Sequence, residues 1–182
     1  QFLYENRKNV KAAIIVWDQQ EKYLDRKHVI EAAWNWINMT IPVISSTFAS
    51  FSRMCKNLGA ETLGHLFIDE AGQALPQAAV GAIYRSRHVM VVGDPLQIKP
   101  VLTLDSNTLY MLGEHFGVTE KYLSASASAQ ILADAASQYG FYRKQDKAED
   151  SWVGIPLWVH RRCRYPMFTI SNMISYDGFM VQ

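Results

Sequence analysis

The chain has 182 residues, of which 49% are hydrophobic and 12% aromatic, and this is enough apolar material to build a packed domain. The composition excludes a largely disordered chain, and the formal net charge of +1 gives no global argument for a polyanionic partner. Two distant cysteines, Cys55 and Cys163, fit neither a disulfide framework nor a zinc ligand spacing. No apolar run reaches the roughly 20 residues of a membrane helix, so we expect a soluble, cytoplasmic protein with no membrane partner.

Short apolar runs alternate with helical patterns in the first hundred residues. Residues 29–39 carry apolar side chains at helical spacing, and Pro42 follows them. A short strand at 43–44 leads into a helix at 48–58, which Gly59 closes. Strands at 66–68 and 89–92 flank a helix at 76–84. This alternation predicts an α/β fold with a parallel sheet that is covered on both faces.

The alternation weakens after Pro100. Helical patterns cover 107–116 and 129–139, and the small-residue tract at 124–128 predicts a flexible connector between them. A charged stretch then precedes a strand signal at 152–159 and a helix at 166–175. We place a domain boundary near Asp150, so that residues 1–150 form a first domain with its connector and residues 151–182 open a second.

Two adjacent acids follow the apolar strand at 66–68. Asp69 and Glu70 therefore stand at the carboxyl edge of the predicted sheet, where open α/β folds bind their ligands. In phosphoryl-transfer proteins an aspartate in this place holds magnesium, and a neighbouring acid orients and deprotonates the attacking water. The alternative interpretation is that Asp69 caps the next helix and that Glu70 interacts favourably with its first turn.

A second polar loop follows the strand at 89–92. Gly93 and Asp94 begin a turn, and Gln97 adds an uncharged amide that would lie beside the two acids. The alternative is an ordinary Gly-Asp-Pro turn with a solvated glutamine.

Four segments then occur in the order of one helicase family. Residues 69–74 resemble the Walker B box of superfamily 1 helicases of the Upf-like subgroup, especially its bacterial members, and residues 93–100 resemble the third motif. Residues 43–50 are similar to the segment that contacts the nucleic-acid backbone. Residues 160–178 resemble the fourth motif. The resemblance runs from about residue 41 to the end. It implies an incomplete P-loop NTPase fold, a RecA-like parallel sheet with flanking helices, followed by the start of a second RecA-like domain.

The resemblance also implies a function: an enzyme that hydrolyses ATP with Mg²⁺ while it moves along single-stranded DNA or RNA. In this interpretation Asp69 carries the magnesium ion and Glu70 activates water. Gln73 couples the nucleotide state to the third motif. Gly93 and Asp94 belong to the same nucleotide site.

Three further sets of residues take their roles from the resemblance. Gln97 reads the γ-phosphate, and Arg162 reaches the same phosphate from the second domain. Arg161 and Arg164 stay alternatives to Arg162, because the sequence at 160–162 departs from the family's Gln-Tyr-Arg and the following proline is one position late. The nucleic-acid backbone is contacted by Ser46, Thr47 and Ser50. Without the family, these hydroxyls would instead cap the helix near residue 48, and the arginines would form a solvated face.

A phosphate-binding loop is missing from the sequence. Such a loop reads Gly-x-x-x-x-Gly-Lys-Ser/Thr, and no glycine in this chain is followed by lysine. The first residue is Gln1 and the last residues fall in a segment predicted to be structured. We therefore expect a longer parent protein to supply the loop and the rest of the second domain, and we expect no ATP hydrolysis by this chain alone. Two alternatives stay open: a non-catalytic α/β interaction module, and a RecA-like nucleotide switch without helicase activity.

Overall fold

The computed structural model describes residues 1–94, 98–101, 104–119, 122–123, 127–143 and 151–182. Within these ranges the chain is mixed α/β and mostly helical, with a two-stranded parallel sheet and a separate antiparallel hairpin. The predicted α/β class is confirmed in this form. The chain divides into two compact units: Gln1–Ile68 with Gln77–Met90, and Asp69–Pro76 with Val91–Gln182. The boundary predicted near Asp150 lies outside the described residues and stays a prediction.

The elements up to residue 91 alternate helices and strands after three initial helices. In chain order they are α1 (Phe2–Glu5), α2 (Arg7–Asp18), a 3-10 turn (Gln20–Tyr23), α3 (Lys27–Thr40), α4 (Phe48–Met54), β1 (Leu63–Ile68), a 3-10 turn (Ala71–Gln73), α5 (Pro76–Tyr84) and β2 (Ser86–Val91). The helix predicted at 76–84 has these bounds, and α3 extends the predicted helix at 29–39 by two residues at its start and one at its end.

The core of the first unit forms around α3. Its apolar spacing brings Ile30 and Trp34 to one face, and both side chains are buried with Cys55 and Leu58 in a single cluster. Trp17 of α2 packs edge-on against Trp34, with ring centroids 6.1 Å apart. The described helices α2 and α3 are thus joined by apolar and aromatic contact rather than by charge.

The small parallel sheet joins β1 to β2. The Leu63 N–H donates to the Arg85 carbonyl at 2.8 Å, where the two strands begin. Both strands were predicted, but the prediction that both faces of the sheet are covered is wrong for these strands. Phe67 is 69% exposed and Met90 is 56% exposed, so one face lacks a covering helix among the described residues.

The segment between α3 and β1 differs from its prediction. Residues 43–44 do not form a strand in the described chain, and Val43 is 83% exposed. A strand needs a hydrogen-bonded neighbour, and no described segment pairs with these residues. Helix α4 ends at Met54 rather than near Leu58, because residues 55–57 form a turn that brings Cys55 and Leu58 into the core cluster.

After residue 91 the described elements are α6 (Ser106–Phe116), α7 (Ala129–Ala136), β3 (Phe141–Arg143), β4 (Ser151–Val153) and α8 (Met167–Ser175). Helix α7 ends three residues before its predicted limit, because Ser137 is extended and its hydroxyl donates to the Tyr139 carbonyl at 2.7 Å. The predicted strand at 152–159 is shorter: β4 pairs antiparallel with β3, and Val159 makes an isolated bridge to Val181.

Of the predicted flexible connector at 124–128, residues 124–126 lie outside the described residues, whereas Ala127 and Ser128 are buried. The flexible assignment is therefore wrong for these two, because Ser128 caps α7 by accepting the Ile131 N–H.

Across the described ranges, no helix has the length and apolar character that crossing a bilayer requires.

Candidate functional site

The two acids predicted at the end of β1 are exposed, and they begin a turn at residues 69–74 that we call the carboxylate turn. The Asp69 carboxylate accepts the N–H of Glu70 at 2.9 Å. Glu70 has φ of 52°, in the left-handed region, and this bend starts the 3-10 turn Ala71–Gln73. The Gln73 side-chain amide donates to Glu70 Oε2 at 3.3 Å. The structure thus brings Glu70 and Gln73 together. It also corrects the capping interpretation of Asp69, because α5 begins seven residues later.

Asp69 and Glu70 carry two adjacent negative charges, and the described part of the chain gives neither an ion-pair partner. Two adjacent exposed carboxylates without such a partner leave a local negative potential. That potential suits a hydrated divalent cation, for which oxygen ligands are preferred.

The glycine loop after β2 is in backbone contact with this turn. The Ala71 N–H donates to the Val92 carbonyl at 3.0 Å. A Cβ atom on Gly93 would lie 2.6 Å from the Gly72 nitrogen, and one on Gly72 would lie 2.6 Å from the Asp94 carbonyl oxygen. Both distances are too short for a side chain, so this contact requires glycine on each side. The carboxylate turn and residues 92–94 therefore meet, as predicted, whereas Gln97 lies outside the described residues.

The Asp94 side chain is engaged within the second unit. Its carboxylate accepts a hydrogen bond from the Tyr176 hydroxyl, which follows α8. The neighbouring Asp177 forms an ion pair with Arg143 at 3.2 Å. Tyr176 falls in the segment that resembles the fourth motif, but the sequence analysis gave it no role. The structure ties that segment to the glycine loop.

The predicted arginine is exposed. The side chains of Arg161, Arg162 and Arg164 make no hydrogen bond or ion pair within the described ranges, and no described contact joins Arg162 to the carboxylate turn. Their loop is shaped by His160, whose Nε2 accepts the Cys163 N–H at 2.9 Å. The choice among the three arginines stays a prediction.

The candidate nucleic-acid residues lie in the first unit. Thr47 Oγ1 accepts the Ser50 N–H at 3.3 Å and so caps α4, while the Ser46 hydroxyl donates to the Thr47 carbonyl at 3.0 Å. The capping interpretation of Thr47 is confirmed. All three residues are exposed, and their contact with a nucleic-acid backbone stays a prediction.

A metal cluster built from protein side chains is not found in the described part of the chain. No group of three or more His, Cys, Asp or Glu residues there is arranged to hold an ion. Nucleotide magnesium needs fewer protein ligands, because one or two carboxylates act with phosphate oxygens and waters. Asp69 keeps one carboxylate oxygen outside its bond to Glu70 and fits that requirement.

Helix α7 contributes residues that the sequence did not single out. The Ala129 N–H donates to the Ala74 carbonyl at 2.8 Å, which fixes the start of α7 to the end of the carboxylate turn. Gln130 and Asp134 lie one helical turn apart on the same side and are linked by a hydrogen bond of 3.1 Å. An i, i+4 pair of this kind is a weak sequence signal, because most such pairs stabilise a solvated helix face.

The first unit contains an apolar cleft. It has a volume of about 440 Å³ and is formed in the first unit by side chains that include Ile14, Trp17 and Ile41. None of the predicted site residues that the structure describes lines it.

Comparison with known proteins adds no family. No protein-family model matches the chain, nor does any curated protein or solved structure. A functional proposal for this chain can therefore draw only on the order of the four similar segments and on the geometry of the carboxylate turn.

Proposed function

We propose that this chain carries the magnesium-binding and water-activating part of the ATPase site of a superfamily 1, Upf-like nucleic-acid helicase. On this proposal the two-stranded sheet belongs to a RecA-like domain, and residues 151–182 open a second one. The observation that carries the proposal is the backbone contact between the Asp69–Glu70 turn and the Gly93 loop. This contact follows two neighbouring parallel strands, and ligands of open α/β sheets bind at such an edge.

The arrangement of Glu70 suits the role of general base. Gln73 donates to Oε2, which leaves Oε1 to accept a proton from water. In the proposed step the water oxygen bonds to the γ-phosphorus, and the bond from that phosphorus to the bridging oxygen breaks. ADP leaves with the electron pair, while Glu70 takes the water proton. Magnesium bound at Asp69 would offset the negative charge of the phosphates.

The remaining residues complete the proposal as sensors. Gln97 would read the γ-phosphate, Arg162 would approach the same phosphate from the second domain, and Gln73 would pass the nucleotide state to residues 93–94. The exposed hydroxyls of Ser46, Thr47 and Ser50 would contact single-stranded DNA or RNA, where backbone contacts dominate affinity. A longer parent protein would supply the phosphate-binding loop.

One observation favours a second candidate. The hydrogen bond from the Glu70 N–H to Asp69 is one that a purely structural aspartate makes in a turn. A non-catalytic interaction module would need no more than this from its acids. A nucleotide switch without helicase activity would share the ATPase chemistry but would not respond to single strands.

The test uses a polypeptide extended at both ends with the parent sequence. We expect magnesium-dependent ATP hydrolysis that single-stranded DNA or RNA stimulates. Glu70→Gln should lower kcat by roughly 100-fold or more, because it removes the base. The matched control is Glu61→Gln, since Glu61 is another exposed glutamate with positive φ, 54°, but lies in the first unit. It should stay within about twofold of wild type.

The outcomes separate the candidates. Hydrolysis without strand stimulation would support the switch, and no hydrolysis by the extended chain would contradict the proposal and leave the interaction module. The 182-residue chain should show no turnover, because phosphoryl transfer depends on positioning by the missing loop. Magnesium-dependent hydrolysis by this chain that Glu70→Gln removes would overturn that expectation.

A further inference from the structure

A buried polar chain runs from α7 to the glycine loop of the second unit. Asp134 is 8% exposed, and its Oδ1 accepts two hydrogen bonds, from the Gly154 N–H at 3.0 Å and from the Gln130 side-chain amide at 3.1 Å. These two donors fix the carboxylate between α7 and the end of β4. The Gln130 amide is fixed in turn, because its NH₂ must face the carboxylate and its oxygen must face away.

The amide oxygen of Gln130 faces Gly93. A Cβ atom on Gly93 would lie 3.0 Å from Gln130 Oε1, so the glutamine oxygen packs against the backbone of the glycine loop. Gln130 Oε1 is buried and has no hydrogen-bond partner among the described residues. Buried amide oxygens normally find a donor. The position of the Gln130 side chain is set by the hydrogen bond to Asp134 on one side and by contact with Gly93 on the other.

Helix α7 also holds the carboxylate turn. The Ala129 N–H bonds to the Ala74 carbonyl at 2.8 Å, one residue before Gln130 in the sequence. The first turn of α7 thus touches both partners of the site, Ala74 through its backbone and Gly93 through Gln130. Their separation is set by one rigid element.

We propose that Gln130, oriented by Asp134, is a positioning residue that keeps the Gly93–Asp94 backbone in register with the Asp69–Glu70 turn. It does not touch the reacting atoms and acts through Gly93. Its meaning for catalysis rests on the proposed function, whereas the contact itself is independent of any nucleotide.

Hydrogen exchange of backbone amides in the 182-residue chain tests this contact without ATP. We expect Gln130→Ala to speed exchange of the Ala71 N–H, which bonds to Val92, by roughly tenfold. Amides in the middle of α3 should change less than twofold, because they open with the first unit. The matched control is Gln138→Ala, which removes an exposed glutamine just after α7 and should alter neither set.

A second variant separates the amide from its volume. Gln130→Met keeps the length of the side chain but cannot bond to Asp134, so we expect it to speed Ala71 exchange as much as Gln130→Ala does. Restored protection in Gln130→Met would reduce the effect to space filling and overturn the proposal. Equal acceleration at Ala71 and in α3, or no acceleration at Ala71, would overturn it as well.

The effect of Gln130 on catalysis is measured in the extended polypeptide. Gln130→Ala should lower kcat for ATP hydrolysis by roughly tenfold with less than twofold change in KM, because a misplaced Gly93 loop harms the transition state more than binding. An unchanged kcat would contradict the positioning role. Hydrolysis absent even from the wild-type extended chain would defeat the proposed function, while the exchange pattern would still decide whether Gln130 holds the two backbones together.

Discussion

The interiors of the two units are stabilised by different kinds of contact. The cluster in the first unit is made of large apolar side chains, with Ile30 and Trp34 at its centre. The buried residues around α7 in the second unit are small or polar, such as Ala129 and Asp134, and its glycine loop meets the carboxylate turn backbone to backbone. The first unit should therefore suffer most from lost atoms, and the second from added ones.

The two units also differ in the surroundings of a buried polar atom that lacks a hydrogen-bond partner among the described residues. Two buried side-chain atoms have no hydrogen-bond partner in the described part of the chain: Trp34 Nε1 and Gln130 Oε1. The indole N–H belongs to an apolar cluster, where the large ring offsets the loss. The amide oxygen belongs to a chain of polar contacts whose geometry matters more than its area. Each unit thus tolerates one unsatisfied group for a different reason.

Removing the largest buried side chain should break the first unit most severely. We expect Trp34→Ala to lower the free energy of unfolding by about 3–5 kcal/mol, through lost burial and the cavity left behind. Urea unfolding followed by circular dichroism measures this. Tyr139→Ala removes an aromatic ring that is 74% exposed and should change stability by less than about 0.5 kcal/mol. Similar costs for both variants would contradict the assigned core.

Adding one methyl group should destabilise the second unit. Gly93→Ala places a Cβ within 2.6 Å of the Gly72 nitrogen, and we expect a loss of about 1–3 kcal/mol in the free energy of unfolding. Gly64→Ala is the matched control, because a Cβ there meets no atom within 4 Å. That change should stabilise the chain by about 0.5 kcal/mol, since alanine restricts the unfolded chain. A neutral Gly93→Ala would show that the two backbones lie further apart.

The helix cap at Thr47 should give a smaller effect. Thr47→Ala removes the acceptor of the Ser50 N–H and should cost about 1 kcal/mol of stability. Thr47→Asp keeps a cap but adds a negative charge, so it should retain stability and weaken single-strand binding by the extended polypeptide. Unchanged strand affinity in Thr47→Asp would remove Thr47 from the proposed nucleic-acid surface.

The thiols of Cys55 and Cys163 should react with a disulfide reagent at different rates. The pKa shift behind this difference should have almost no effect on stability at neutral pH. Burial raises the pKa of the Cys55 thiol from 9.0 to about 11, although Arg85 opposes the shift. At pH 8 the Cys55 thiolate is about 100-fold scarcer than that of a thiol with the ordinary value. A disulfide reagent should therefore label half-buried Cys163 first and Cys55 much later. Two equally fast thiols in the folded chain would contradict this.

The same pKa shift predicts a loss of stability at high pH. The folded chain keeps the Cys55 proton between pH 9 and 11, whereas the unfolded chain releases it. Stability is therefore complete below pH 9 and falls as the pH rises towards 11. Cys55→Ala should weaken this dependence, and unfolding curves at three pH values would measure it.

Local patterns were enough to predict the elements of the fold where periodicity was strong. The spacing of apolar residues located α3, and the bounds of α5 agree with the helix predicted at about 76–84. The strand predicted at residues 43–44 failed because pairing is a long-range event that a two-residue pattern does not encode. For the same reason the strand signal after Trp152 did not reveal that β4 pairs with β3.

The candidate site was predicted in part. Asp69, Glu70 and Gly93 were placed together because they follow neighbouring strands. The bend at Glu70 and its bond from Gln73 depend on local backbone geometry that residue types alone do not specify. Gln130 went unnoticed because its contact with Gly93 joins positions far apart in sequence.

The backbone at Glu70 gives this turn a special character. A non-glycine residue in the left-handed region costs about 1–2 kcal/mol relative to glycine. A glycine at this position would thus let the chain fold more easily while erasing the carboxylate. With glutamate at this position, the backbone conformation is less favourable but a negative charge is exposed to solvent. At residue 70, the residue type that would favour folding therefore differs from the one that supplies the surface charge.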